Sequence, residues 1–243
     1  MSTNTDGRFF QGLFIAIALI AAVFIITESL RGMIPTNQIV KVRGFAEKQF
    51  ISDLAHWSVL IRVVRPTLPA AAQTLEADTG KVMQYLKDNG IPTQDITVKA
   101  AYPGTINTIN DKGFTTNEVA LHTLERYINI SSADVKRIET LSSDISRLLV
   151  DDVDVRSQAP AYYYTKVDEV KMELLEAAAT DAYNRAKILA SSSGSKLGSL
   201  RAARQGKFQI LSAQATEDSG DYYDTSSIDK KMTAAITVDY SID

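Results

Sequence analysis

The side chains of this sequence whose types and spacing suit chemistry are two histidines, a lysine that follows a glycine, two acidic runs and two clusters of tyrosine. His56 and His122 each fall in a segment that reads as a β-strand, without a neighbouring H-x-H or H-x-x-x-H partner. A metal site or a serine triad would need partners brought to them by folding; the competing reading is a strand-face histidine with a structural or solvated role. Lys81 in "DTGKV" carries the Gly-Lys of a phosphate loop, but Leu75 stands where G-x-x-x-x-G-K-[ST] requires its first glycine and Val82 replaces the hydroxyl residue. A helix interior is the simpler reading. "DDVDV" at 151–155 and "EDSGDYYD" at 217–224 offer oxygen ligands to a hard cation such as calcium, yet neither has the D-x-[DN]-x-[DN]-G order. Solvated loops are the favoured reading of both, since charge clusters are usually just that. No catalytic, cofactor-binding or metal-ligating residue is assigned, and no cofactor is expected.

Tyr162, Tyr163 and Tyr164, together with Tyr222 and Tyr223, are the candidate interface residues. Exposed aromatic side chains are enriched where proteins meet partners, membranes or glycans. Core or rim packing at a strand edge is the alternative.

Composition narrows the partners. The 26 basic and 29 acidic residues leave a net charge of −3, whereas phosphate-backbone binding favours a strongly basic surface; nucleic acid is not an expected partner. The absence of cysteine excludes disulfides, thiolate metal sites, cysteine nucleophiles and lipidated cysteine. An apolar fraction of 45% over 243 residues is enough for a substantial folded core.

The opening "GRFFQGLFIAIALIAAVFIITESLRG" poses the question of anchor or cleaved signal. From Phe9 to Ile26 the only polar side chain is Gln11, and a helix rising about 1.5 Å per residue over that length nearly spans a hydrocarbon layer of about 30 Å. A cleavable signal has a shorter apolar run followed by a small-x-small site. Here Thr27-Glu28-Ser29 follows, and the better-suited Ala16-Ile17-Ala18 lies inside the run. The expectation is a retained single-pass anchor over 9–26, with 1–8 in the cytoplasm, a tether over 27–38 and a folded body over 39–243 in the periplasm, on the inner (cytoplasmic) membrane. Charge does not decide the orientation, since Asp6 offsets Arg8 on one side and Arg31, Lys41 and Arg43 lie on the other. The short N-terminal side and the large body after the helix do.

Hydrophobic period then divides the body. "DLAHWSVLIRVV" alternates Ala55, Trp57, Val59, Ile61 and Val63 against a mixed face, which predicts a half-buried strand. With "IVKVRGFAEKQF" before it, a β-hairpin is expected. Leu68, Ala71, Ala72, Leu75, Val82 and Leu86 form a helical stripe, started by Thr67 with Pro69 and stopped at Gly90. Two long strands around Lys112-Gly113 follow as a hairpin. A second helix after Ser131-Ser132 presents Val135, Ile138, Leu141, Ile145 and Leu148, and "DVRSQAPAYYY" reads as a strand marked by Pro160. The longest helix, from about Thr165 to Ser193, packs through Val167, Val170, Leu174, Ala178, Ala182, Ala186 and Leu189. Then come a strand through "GSLRAARQGKFQIL", a polar loop at about 212–228 and a final strand with Met232, Ala234, Ile236, Val238, Tyr240 and Ile242 inward. The predicted class is α+β: a mainly antiparallel sheet of hairpins covered by three helices, in the order ββ-α-ββ-α-β-α-ββ. No repeat of 20 to 50 residues suggests a solenoid or propeller.

Three stretches together resemble the SIMPL domain family, also labelled DUF541, over roughly residues 39–242: "VKVRGFAEKQFISDLAHWSVLIRV", "LKDNGIPTQDITVKAAYPG" and "ELLEAAATDAYNRAKILASSSGSKLGSL". The chain departs from the family pattern at Phe45 and Ser52, where a small residue and a proline are common, so the turn geometry there is open. The resemblance implies a bacterial protein of the periplasm or cytoplasmic membrane, linked to envelope and oxidative stress, with ring-like or channel-like assembly in some members. It implies no agreed catalytic set. The functional expectation is a non-enzymatic, membrane-anchored envelope protein that self-associates as a homo-oligomer and serves as a scaffold or stress-related factor. The alternative is a periplasmic module that binds a peptide, a glycan or an envelope protein partner. An uncharacterised hydrolase using His56 or His122 is the third class.

Overall fold

A computed structural model describes residues 19–27, 38–215 and 223–242. Residues 19–27 are helical (α1) with exposed side chains. Of the expected anchor at 9–26, the part before residue 19 lies outside the described residues, as do 1–8 and most of the tether. Among the described residues no helix is long and apolar enough to cross a membrane.

The body runs β1 (Ile39–Ile51), β2 (Leu54–Arg65), α2 (Leu68–Asp88), β3 (Ile96–Ile109), β4 (Thr115–Ser132), α3 (Val135–Asp144), β5 (Val155–Ser157), β6 (Ala161–Tyr163), α4 (Val167–Ser192), β7 (Leu197–Gln205), β8 (Gln209–Ser212) and β9 (Asp229–Ile242), with 3₁₀ turns at Thr93–Asp95 and Ile145–Leu149. The class is α+β with two antiparallel sheets. One has the order β1-β9-β7 with β8 also on β9; the other has the order β3-β4-β2-β5 with β6 also on β2. By compactness the chain divides into two units, one of Met1–Val42, Arg185–Ala203 and Val238–Asp243, the other of Arg43–Asn184 and Arg204–Thr237.

Within the first unit, the ends of the body meet: the Ile242 amide donates to the Gln38 carbonyl at 3.0 Å, and Lys41 Nζ lies 3.8 Å from an Asp239 carboxylate oxygen. Ser199 and Ser241 hydroxyls are 3.4 Å apart.

In the second unit the expected β1-β2 hairpin does not form. The two-residue link Ser52-Asp53 carries the chain from one sheet into the other, its amides donating to the Ile228 and Tyr163 carbonyls at 2.9 and 3.0 Å rather than closing a turn. Strand β2 shows the expected alternation: Ala55, Trp57, Val59, Ile61 and Val63 are buried, and they pack with Ala71, Leu75, Val82 and Leu86 of α2 and with Val135, Ile138 and Leu141 of α3. Each buried valine, leucine or isoleucine among them contributes roughly 1.5–3 kcal/mol. The Trp57 indole donates to Ser157 Oγ at 3.0 Å, so the largest core ring carries no orphaned N–H.

Two strands differ from expectation where a proline or glycine interrupts the ladder. Pro160, which has no N–H to give, splits the expected "DVRSQAPAYYY" strand into β5 and β6. Gly206 ends β7, and its amide donates to the Ala235 carbonyl at 2.8 Å before β8 resumes along β9. The order is therefore ββ-α-ββ-α-ββ-α-βββ. Helix α4 buries Val170, Leu174, Ala178, Ala182, Ala186 and Ala190; Leu189 is exposed, so the stripe ends one residue later than the sequence period suggested.

Helix α4 meets β1 at Gly44. A Cβ there would overlap the Ala178 carbonyl oxygen and stand 2.6 Å from Ala182 Cβ. The Phe45 amide donates to Asp181 Oδ2 at 2.9 Å, and Lys48 pairs with Glu173. Small residues on both elements let a strand lie against a helix backbone.

Strands β3 and β4 form the predicted hairpin. Its turn holds Gly113 at φ 81, a region open mainly to glycine, and Asn110 Oδ1 accepts the Lys112 and Phe114 amides at 3.1 and 3.0 Å. Pairing of β4 with β2 runs from Ser132 to His122, so residues 115–121 pair with β3 alone. Beyond that point the hairpin is a two-stranded ribbon whose tip exposes Ile109 (70%) and Phe114 (67%). β3 is also an edge strand.

Candidate functional site

The face of β2 that turns away from α2 and α3 carries His56, Ser58, Leu60 and Arg62. Antiparallel register sets Ser131 opposite His56 and Asn129 opposite Ser58, and Thr97 of β3 opposite Asn129. On the other flank Ser157 pairs with Val59 while Ala161 pairs with His56. One strand thus advances four residues where the other advances three, which is a β-bulge. The Gln158 amide at that bulge donates to the Ser58 carbonyl at 3.0 Å. The floor strands and the raised bulge enclose a cleft of about 390 Å³, with Asp95 at the head of β3 on one side and Gln158 on the other.

The cleft mixes polar side chains with the apolar Trp57, Ile130, Ala159 and Ala161. Ser58 Oγ donates to Asn129 Oδ1 at 2.9 Å, which orients the carboxamide. The His56 ring meets the Tyr163 ring edge-on, centroids 5.2 Å apart at 62°. Asp95 makes no ion pair among the described residues. These residues lacked a sequence motif because they come from four separate stretches of chain; the signal was the mixed face of β2, whose polar positions mark one side of the sheet.

Of the candidate tyrosines, Tyr162 is buried in the core, where burial, aided by Glu139, pushes its hydroxyl pKa up. Tyr163 is half-buried against His56, and Tyr164 packs on Phe50 with ring centroids 4.5 Å apart. Tyr223 is half exposed and bridges Ile210 of β8. The Tyr162 amide donates to the Thr225 carbonyl at 2.7 Å, so the two clusters lie on adjacent segments. Tyr222 lies outside the described residues.

Asp53 fixes this strand from below: its two carboxylate oxygens accept the Thr165 amide at 2.8 Å and the Thr165 hydroxyl at 2.7 Å, while its own amide binds the Tyr163 carbonyl. Asp53→Ala is expected to lower the unfolding free energy by about 1–2 kcal/mol, since hydrogen bonds to a charged acceptor exceed neutral ones. A urea titration followed by circular dichroism reads the shift.

A second polar cluster joins Asp224, the last residue of the 217–224 acidic run, to Lys230, which the sequence reading did not single out. Lys230 of β9 is only 1% exposed, and its Nζ donates to the Asp224 carbonyl at 2.7 Å and to Asp224 Oδ2 at 3.3 Å. Asp224 also accepts the Ser226 amide and hydroxyl at 2.8 and 2.7 Å and the Ser227 hydroxyl. Burial alone would raise the Asp224 pKa; the Ser227 and Ser226 donors and the Lys230 charge together outweigh it and hold the carboxyl well below the usual carboxylate range. Burial pushes the Lys230 ammonium down, opposed by Asp224. The pair clamps the end of the 212–228 loop to β9.

The remaining candidates have structural partners. Gly80-Lys81 lies inside α2, and Lys81 Nζ donates to the Asp151 carbonyl at 2.9 Å and sits 3.7 Å from the buried Asp78. In the 151–155 run, Val153 and Val155 are buried and Asp154 faces Arg156 at 3.6 Å; residues 217–222 of the other run lie outside the described residues. His122 stands on β4 between Arg65 and Thr105. Among the described residues no group of three or more histidines and carboxylates is placed to share a metal ion.

A family model described as SIMPL, protein of unknown function (DUF541), matches residues 40–240. No curated protein matches the chain.

Proposed function

Because the chain belongs to the SIMPL (DUF541) family, whose description assigns no activity, we propose a role from its own surface: a membrane-anchored envelope protein that self-associates and acts as a scaffold or stress-related factor rather than an enzyme. The apolar run at 9–26 supports the anchor, and the length of that run beyond an ordinary signal favours its retention. The body is read as periplasmic on the same grounds as the topology above.

The observation that carries self-association is the β3-β4 ribbon. A long edge strand presents unpaired backbone groups, which natural proteins ordinarily blunt. Here Pro103 and two irregularities near Ile106 and Ile109 interrupt β3, but the apolar tip residues remain uncovered. Such a surface fits another copy of the same ribbon, which would cover both its apolar side chains and its free edge.

Light scattering on full-length protein in detergent tests this. Assembly is expected across the accessible concentration range. The double variant Ile109→Asp/Phe114→Asp removes apolar burial of about 1.5–3 kcal/mol per side chain, so its dissociation constant should rise at least about 100-fold. A wild-type protein that stays monomeric from the lowest to the highest concentration overturns the reading.

A further inference from the structure

We propose that the cleft over β2 and β4 binds a neutral saccharide unit. This goes beyond self-association and does not depend on it. Four features select that chemistry.

The floor offers side chains and not backbone. The strands β2 and β4 beneath it are paired with each other on one side and with β5, β6 or β3 on the other, so neither floor strand has a free ladder for an extended peptide; the open edge belongs to β3, which borders the cleft at Thr97. Binding a peptide as an added strand needs such an edge.

The polar groups are of mixed donor and acceptor character. Asp95 is acceptor-only when ionised, Asn129 and Gln158 carry both functions, and Ser58 and Ser131 are hydroxyls. A sugar hydroxyl is itself donor and acceptor, and a ring with several of them is satisfied by such an alternating set. Ser58 donates to the Asn129 carbonyl oxygen, which leaves the Nδ2 hydrogens as the donors this carboxamide can offer.

Neither lysine nor arginine lines the cleft. A phosphate or carboxylate ligand would meet Asp95 with no compensating cation, so anionic ligands are disfavoured. One carboxylate and one imidazole are too few for a metal centre.

The size fits. The cleft volume of about 390 Å³ falls in the roughly 300–1,000 Å³ span of small-molecule sites. His56, exposed at the cleft and in edge-on contact with Tyr163, supplies an aromatic ring against which the C–H face of a sugar can pack.

The test uses full-length protein in a polyoxyethylene detergent, since sugar-headed detergents would compete. Isothermal titration calorimetry is run with glucose, N-acetylglucosamine, maltotetraose and chitotetraose, each to about 10 mM, a range that captures weak millimolar dissociation constants. At least one is expected to bind. Tighter binding of a tetrasaccharide than of its monomer assigns the ligand to a polymeric glycan; equal affinity assigns it to a free sugar. Asn129→Ala is expected to weaken binding at least about tenfold, the loss that accompanies a hydrogen-bonding side chain in a polar site. Gln158→Ala, on the exposed bulge, should do the same without moving the thermal midpoint, and guards against a folding defect in the first variant. The proposal is overturned if none of the four binds, if both variants bind as the wild type does, or if glucose 6-phosphate binds more tightly than glucose.

Discussion

Gly44→Val is expected to lower the unfolding free energy by about 3 kcal/mol or more, the upper end of what forced overpacking costs. The reason lies in what the new side chain meets. A Cβ at position 44 overlaps the carbonyl oxygen of Ala178 and comes within 2.7 Å of the Ala182 amide nitrogen, and helix backbone does not yield as a flexible side-chain end does. Relief requires α4 to move away from β1, which also lengthens the bond from the Phe45 amide to Asp181. Against a typical total of about 5–15 kcal/mol, that leaves little reserve. Thermal unfolding of the wild type and of Gly44→Val reads the effect directly; a midpoint unchanged within a degree or so would mean that the helix and strand are not held at this distance. Gly113→Ala is the control, since no atom lies within 4 Å of its added carbon and only the strained φ is penalised.

Lys230→Met should be of similar size for an electrostatic reason. Methionine keeps most of the apolar stem but removes the ammonium, and the Asp224 carboxylate, whose side chain is 13% exposed, is left with serine donors alone. Removing one partner of a buried pair costs about 3–5 kcal/mol; the lower figure suits a pair with some solvent contact. The pH dependence carries the sign. Asp224 is held below its ordinary value in the folded state, so its stabilisation is present above the unfolded carboxyl value of about 3.9 and disappears as pH falls through the folded value. In Lys230→Met the carboxylate loses its main opposing charge, and protonating it relieves the variant while it weakens the wild type. The gap between the two proteins is therefore widest near neutral pH and narrows towards pH 3. Denaturant melts at both pH values check this, and Asp224→Asn in the Lys230→Met background should recover part of the loss at pH 7. A gap that does not narrow in acid would remove Asp224 from the explanation.

Elements that carry their own period were legible in the sequence. Strand β2 alternates because one of its faces packs on two helices, and α2 shows its stripe, its Thr67 cap and its stop at Gly90 because each is encoded within a few residues. Pairing was less legible. The links at Ser52-Asp53 and at Lys112-Gly113 both separate two strand-like runs, yet only the second has the glycine that a tight reversal demands, and the first changes sheets through bonds to Ile228 and Tyr163. Partners so distant in sequence leave no local mark. The same holds for the clamp at Lys230, which reads as one more charge in "DKK" until β9 carries it inside. The cleft was half legible: His56 was singled out for its type, whereas Ser58, Asp95, Asn129 and Gln158 are ordinary residues made relevant by register.

The middle strand of the β1-β9-β7 sheet is the last of the described strands to be synthesised. Until β9 emerges, β1 has no neighbour in its sheet, although it left the exit tunnel first among the body's strands. The β2-β3-β4 region, whose partners all precede α3, is free to form while synthesis continues. Assembly of the other sheet must wait for β9 and join segments far apart in sequence, so its rate is governed by contacts of high order. Throughout that interval β1 is an open strand, and it is where a chaperone would have most to protect.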